Sequence, residues 1–461
     1  MLEKEIRKVL ERQRKYFATG ITRSYAFRRR ELKKLKKAVK EKETELMKAL
    51  AGDLGKSVPE AYTSEVSFVL REIDFVLKHL KKWMKPRRAA IPLICFPSSG
   101  RIHPEPYGVS LIMGPWNYPF QLVASPLVGA IAAGDCAIIK PSELAKNISH
   151  FLARLIGETF SPEYISVVEG GVEEGSHLLA QDFDLIFYTG SSRVGRIVME
   201  AAAKHLTPVV LELGGKSPCV VDETVDTVVA AKRITWGKFL NAGQTCVAPD
   251  YLLVHKKVKP ALTEAIKKAL HQFYGENPHD SVDYPRIINE RHVERLSALL
   301  GEGDIITGGE VIKEERFIAP TVIDNVQWTD KIMADEIFGP ILPVLEYETV
   351  EDAISQINAH SKPLALYVFS KNKKFQDRII SETSSGGVCV NDTVLHIIPF
   401  SLPFGGVGES GMGSYHGKAG FDAFSHFRSV LRKSFVLDSN LRYPPYRPLT
   451  GVSKKLFDLF G

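Results

Sequence analysis

Between residues 107 and 213 the chain alternates between two kinds of segment. Short, almost wholly apolar runs (YGVSLIMG, CAIIKPS, ISVVEGG, FDLIFYTG, PVVLELGG) are separated by helix-like stretches at 119–133, 144–160, 173–180 and 192–206. Runs of this length are too short for buried helices, and their lack of polar alternation means that both faces must be covered. Strands that alternate with helices meet that need by forming a parallel sheet with helices on its two sides. The pattern therefore dictates an α/β fold. Parallel sheets bind ligands at the carboxyl ends of their strands, so the turns that follow the five runs are where chemistry is expected.

The flanking sequence is organised around this unit. Upstream, Ser24 can cap a long helix that carries Leu32, Leu35, Val39, Leu46 and Leu50 and ends at Gly52 and Gly55. A second helix after Pro59 carries Val66, Val69, Leu70, Ile73, Val76, Leu77 and Leu80, and Pro86 stops it. Residues 87–106 are Pro-rich and read as a hairpin standing apart, suited to a dimer contact. Downstream of Lys216 a second mixed unit begins, with a helix before Cys246, the strands YLLVH, LALYVFS and GGVCVND, and further strands around 317–323 and 341–345. SFVL, at 434–437, reads as a lone strand before a Pro-rich tail.

Composition narrows the function classes. A length of 461 residues allows about three domains of ~150 residues. Sixty basic and 54 acidic residues leave a net charge of +6, too little for a nucleic-acid-binding field. The basic cluster from Arg28 to Lys37 interleaves with Leu32 and Leu35, as on the solvated face of an amphipathic helix. The five cysteines are odd in number and widely spread, and no CxxC pair occurs, which argues for a reducing compartment and against a structural zinc site. The charged N-terminus has no signal-peptide core, and no run of ~18 apolar residues exists to span a membrane. A cytoplasmic protein is expected.

Several residues at strand or helix ends are chemically suggestive. Cys246 follows a helix-like segment and the breaker pair Ala242-Gly243, on a loop that Pro249 keeps from becoming helical again. On this stretch alone an inert buried cysteine is the commoner reading. Glu212 closes the fifth run before Gly214-Gly215, as a partly buried general base or one half of a structural ion pair. Asn117, in GPWNYP after the first run, could offer its amide to an oxyanion or cap a helix. Lys140 and Glu143, after the second run, suit the hydroxyls of a ribose or a surface ion pair. In YTGSSRVG, Gly190 allows a turn, Ser191 can cap the helix that follows, and the helix N-terminus offers free N–H groups to an anion. The G-x-G-x-x-G formed by Gly406, Gly408 and Gly411 is neither preceded by a strand nor followed by a helix, so it reads as a decoy.

Taken together, LELGGKSP with GQTC downstream, PWN and KPSE upstream, and EIFGP followed by PFGG resemble the aldehyde dehydrogenase superfamily. GPWNYP, KPSEL, YTGSSRVG, AAAKHLTPV, WGKFLNAGQTCVAPDY, PLALYVFS, SLPFGGVGESGMGSYHGK and RYPPY resemble its class 3 branch, over about residues 12–446. The resemblance implies an aldehyde dehydrogenase-like fold: a Rossmann-type parallel-sheet NAD(P)-binding domain (1–86 and 107–212), a second α/β catalytic domain (213–428), and a small β oligomerisation arm with the tail (87–106 and 429–461). It implies NAD(P)-dependent oxidation of aldehydes, expected to be medium-chain aliphatic or aromatic, to carboxylates by a homodimer with no metal. By position, Cys246 would be the nucleophile and Glu212 the base, with Asn117 and the Cys246 N–H forming the oxyanion hole. Lys140 and Glu143 would hold the adenosine ribose, and Gly190, Ser191 and Gly195 would line the phosphate turn. Glu336 and Phe338 would meet the nicotinamide ribose and ring. Glu143 disfavours a 2′-phosphate, which leans toward NAD with NADP accepted. Tyr62, Tyr118 and His396 are expected near the mouth of the site. Two alternatives stay open: acyl transfer to CoA, and a non-catalytic structural role on the same scaffold.

Overall fold

A computed structural model describes residues 3–438, 443–445, 451, 454 and 455. The first sheet is the one announced by the alternation. Its strand order is Gly411–Met412, Val209–Glu212, Leu185–Thr189, Val109–Met113, Cys136–Lys140, Ile165–Val167. All neighbours are parallel except the two-residue edge strand Gly411–Met412. Numbered along the chain, the five parallel strands lie in the order 3-2-1-4-5. The order reverses between Val109–Met113 and Leu185–Thr189, and a crevice opens there at the strand ends. The intervening helices are Gln121–Ala133, Lys146–Thr159, Val172–Leu179 and Ser192–Ala203, each within a few residues of its expected bounds.

Helix Gln121–Ala133 is buried all round. It lies between the sheet and the N-terminal helices, which explains why its sequence shows no polar face. The long helix expected after Ser24 is two helices, Tyr25–Glu41 and Glu43–Leu54, broken at Lys42. Ser24 does cap the first, accepting the Phe27 N–H at 3.2 Å. Gly55, in the left-handed region at φ 65°, ends the second.

The second sheet has seven strands in the order Asp304–Thr307, Thr321–Asp324, Ile341–Tyr347, Tyr251–His255, Pro218–Val221, Ala365–Phe369, Gly387–Val390. It is parallel apart from its first strand. Only five residues, 213–217, join the last parallel strand of one sheet to the first central strand of the other. The two sets of strand ends are therefore neighbours by covalent necessity.

The hairpin pairs Arg87–Ala89 with Ser98–Pro106, and Ser425–Lys433 adds a third antiparallel strand along the full length of Ser98–Pro106. SFVL is not a strand: the strand ends at Lys433, and Phe435, Val436 and Leu437 stand exposed beyond it. The boundary expected at 428/429 runs through this strand. Arg442 and Tyr446 of the RYPPY motif, and most of the tail, lie outside the described residues. Among the described residues no helix is long and apolar enough to cross a membrane.

Candidate active site

Helix Thr227–Phe239 is capped by the Asp226 side chain and delivers the chain to a tight turn. Asn241 and Ala242 sit in the left-handed region at φ 52° and 50°, and Gly243 follows at 73°. Such a conformation costs roughly 1–2 kcal/mol for each residue that carries a Cβ, so the turn must be held from outside. Gly243 has no alternative, because a Cβ there would lie 2.2 Å from the Gly339 carbonyl. Gln244, fully buried, is the hub. Its side chain donates to the carbonyls of Asn241 (3.0 Å) and Arg286 (3.1 Å) and accepts the Ile288 N–H (2.9 Å). The Thr245 hydroxyl meets that of Tyr118 at 2.7 Å. Cys246 is left half-buried and free of any disulfide.

Asn117 approaches from the first sheet. Its Nδ2 donates to the Gln244 carbonyl at 3.0 Å, which fixes the orientation of the amide and leaves its second hydrogen available. Its own carbonyl accepts from Asn241 Nδ2 (2.9 Å) and from Lys56 Nζ (3.0 Å). Lys56 and Glu65 form an ion pair at 2.6 Å with neither side chain exposed, and Glu65 also accepts the N–H groups of Phe120 and Gln121 at 3.0 Å each. Lys56 lies 3.9 Å from the centre of the Tyr118 ring. This buried pair is the foundation of the Asn117 loop. Nothing in the sequence announced it, since a lysine and a glutamate nine positions apart look like surface charges.

Glu212 ends its strand beside Thr189 and Gly411. It is buried, and neither carboxylate oxygen reaches a hydrogen-bond partner within ordinary limits. Burial pushes its pKa up to about 8, partly offset by the weak donation of the neighbouring Cys246 thiol. Burial also drives that thiol well above its ordinary value, and the Glu212 and Glu336 carboxylates add to the shift. Both groups therefore keep their protons at neutral pH in the free protein. A positive charge brought beside them would lower both.

Lys140, Glu143, Gly190 and Ser191 lie at the carboxyl ends of strands Cys136–Lys140 and Leu185–Thr189 of the first sheet. Lys140 Nζ lies 2.9 Å from Glu143, with the lysine buried and the carboxylate half-exposed. Gly190 and Ser191 follow strand Leu185–Thr189, and Ser191 caps helix Ser192–Ala203 by accepting the Val194 N–H at 3.4 Å. A Cβ on Gly190 would meet the Tyr188 hydroxyl at 2.2 Å. Gly195 faces inward instead: a Cβ would lie 2.8 Å from Leu213, so this glycine brings the helix close to the sheet. Glu336 lies over Gly214, where a Cβ would be 1.9 Å from its carboxylate. Phe338 is left-handed at φ 49° and meets Trp116 edge-on at 5.3 Å. A donor and acceptor pair for a ribose, a capped helix N-terminus for phosphate and an aromatic wall fit a dinucleotide along this crevice. Sequence reading missed His292, which lies 5.0 Å from Trp116 with Nδ1 unpartnered and is held neutral by burial, its pKa down at about 4.

Of the residues expected at the mouth, Tyr62 is exposed. Tyr118 is buried beneath the Cys246 loop, and His396 is enclosed against Tyr367 with both ring nitrogens unpartnered. The glycines of the G-x-G-x-x-G pattern form a tight turn, with Gly408 bridging Gly411. Gly411 pairs with Glu212 and packs so tightly that a Cβ would be 2.1 Å from the Leu211 carbonyl.

A model of the aldehyde dehydrogenase family matches residues 2–430. The chain belongs to that family. The 4,4'-diaponeurosporen-aldehyde dehydrogenase of Staphylococcus aureus is 50% identical to this aldehyde dehydrogenase over 434 residues, 94% of this chain and 95% of that one. Aldehyde dehydrogenase family 3 member A2 of Rattus norvegicus is 51% identical over 438 residues, covering 95% and 90%. The dimeric, NADP-preferring aldehyde dehydrogenase of Canis lupus familiaris is 47% identical over 447 residues, covering 96% and 98%. The substrate-bound structure of Staphylococcus aureus AldH superposes with a TM-score of 0.96 at 48% identity, covering 99% of each chain. This aldehyde dehydrogenase is thus a class 3-like oxidoreductase that acts on aldehydes with NAD or NADP.

Proposed function

We propose that this enzyme oxidises medium-chain aliphatic or aromatic aldehydes to carboxylates through a covalent intermediate on Cys246, which water resolves. The observation that carries the reading is the buried Glu212 carboxyl, which meets no hydrogen-bond partner of ordinary strength and has the Cys246 thiol as its neighbour. Once the charge of the bound cofactor has lowered both groups, the Cys246 thiol gives its proton to the Glu212 carboxylate, which passes it on to solvent, and Sγ adds to the aldehyde carbon. The oxyanion of the resulting thiohemiacetal accepts hydrogen bonds from the free Asn117 amide N–H and the Cys246 N–H. When bound, the nicotinamide supplies the hydride acceptor and a positive charge. Cys246 then carries the acyl group as a thioester. Glu212 removes a proton from water, the water oxygen bonds to the acyl carbon, and the C–S bond breaks to return the thiol and release the acid.

Lys140 and Glu143 would hold the adenosine ribose, with Gly190, Ser191 and the close packing allowed by Gly195 forming the phosphate turn. Glu336 and Phe338 would flank the nicotinamide riboside. We read the molecule as a cytoplasmic homodimer. The support is five free cysteines, the exposed Phe435, Val436 and Leu437 beyond the arm strand, and a related enzyme named as dimeric.

A panel of aldehydes, with 4,4'-diaponeurosporen-aldehyde included because one relative is named for it, tests the substrate class. Free acid as the product, with no dependence on CoA, supports the mechanism; acyl-CoA as the product refutes it. Near-normal turnover by Cys246→Ala would refute the role of the thiol.

A further inference from the structure

The left-handed turn before Cys246 has a second anchor that the mechanism does not use. The Asn241 N–H donates to Glu60 Oε1 at 2.9 Å. Glu60 lies in the short helix Val58–Ala61, between Lys56 and Glu65. One ten-residue segment thus grips both halves of the site. Lys56 and Glu65 hold the loop that bears Asn117, and Glu60 holds the loop that bears Cys246. The Asn241 side chain closes the circuit by donating to the carbonyls of both Asn117 and Gln244.

We propose that Glu60 is a positioning residue for the nucleophile. By accepting the Asn241 N–H it holds the left-handed turn, and so sets where Cys246 stands relative to the Asn117 amide. The kinetic consequence rests on Cys246 being the nucleophile; the hold on the turn does not. Glu60 faces Lys56 and Glu65 from its own segment, Tyr118 from the Asn117 loop, Tyr274 at the end of helix Lys259–Tyr274, and Asp283 beyond it. Burial pushes its carboxyl up to about 7, with Lys56 and the Asn241 N–H opposing the shift and Glu65 and Asp283 adding to it. The ionised form is the stronger acceptor, so the turn tightens as pH rises through that value.

The test compares Glu60→Ala with Glu60→Gln in the full-length enzyme. Hydrogen exchange over residues 240–247 reads the turn without turnover, and steady-state kinetics read the consequence. Glu60→Ala is expected to speed that exchange and lower kcat about tenfold, with KM within about twofold, as for a displaced reacting group. Glu60→Gln keeps an acceptor oxygen, so it is expected to restore slow exchange and most of kcat while losing the wild-type inflection near pH 7. Unchanged exchange in Glu60→Ala, a change in exchange without one in kcat, or equal losses in both variants would overturn the proposal. Should Glu60→Ala not fold, Glu60→Asp, one methylene shorter and out of reach of the Asn241 N–H, is read in the same way. Failure of the Cys246 mechanism would appear separately, as turnover by Cys246→Ala.

Discussion

If Glu212 is the base for deacylation, its environment fixes a pH dependence that can be calculated. A carboxyl titrating at about 8 is ionised to about 9% at pH 7 and about 91% at pH 9, so a rate carried by the carboxylate should rise about tenfold between them. Acylation of Cys246 should not reverse this. The thiol donation that holds the Glu212 value down disappears once the sulfur is a thioester, while burial, the larger cause, remains. Deacylation is isolated by using p-nitrophenyl acetate, which acylates a cysteine without any cofactor. The p-nitrophenol burst reports acylation, and the steady phase that follows reports hydrolysis. Glu212→Gln should keep a burst, slow the steady phase by roughly 10²–10⁴-fold and abolish its rise between pH 7 and 9. A wild-type steady phase that is flat across this range, or a variant that keeps the rise, would refute the assignment. Stability supplies an independent check. The folded form holds the Glu212 proton to a higher pH than the ordinary 4.5. The unfolded form therefore loses its proton first, and the favourable contribution is full below that pH and lost as pH rises through about 8. Glu212→Gln should accordingly melt at a higher temperature than the wild type at pH 9, with the difference shrinking toward pH 5.

Lys56→Met should destabilise the protein by about 3–5 kcal/mol, because it strands the buried Glu65 carboxylate. Lys56→Met/Glu65→Gln should recover part of that loss in urea titrations. Asn117→Ala should lower kcat by about 10²–10³-fold with little change in KM, the behaviour of a donor used mainly in the transition state. Glu143→Ala should raise the NADP to NAD ratio of kcat/KM, because it removes the half-exposed carboxylate that repels a 2′-phosphate; an unchanged ratio would remove Glu143 from cofactor selection.

The Rossmann-type half was legible because a sheet buried on both faces writes itself as unbroken apolar runs. Strands Val109–Met113, Cys136–Lys140 and Leu185–Thr189 are buried at every position. Cys246, Glu212 and Asn117 could be named because each lies at or just beyond the end of a strand or helix, next to residues that break a periodic pattern. Other features obey no local rule. Lys42 breaks a helix with neither Gly nor Pro, at φ −106° and ψ 16°, where the main packing partner changes from helices Ser67–Trp83 and Gln121–Ala133 to helix Lys146–Thr159. Ala242 is left-handed because tertiary bonds force it, and its sequence gives no sign of this. SFVL looked like a strand for its apolar content, whereas the real strand, SHFRSVLRK, is set by pairing with Ser98–Pro106 and carries mostly charged and polar residues.

The five-residue link between the two sheets has one further consequence. Glu212 and the Asn117 loop lie at strand ends of one sheet, and the Cys246 loop leads into strand Tyr251–His255 of the other. Catalysis is then a gauge of how the two halves of the molecule seat against each other. A slight slip along their common boundary would separate base from nucleophile while leaving each sheet intact. On heating, turnover should fade at temperatures where circular dichroism still records a fully folded protein, and cooling from that point should bring it back.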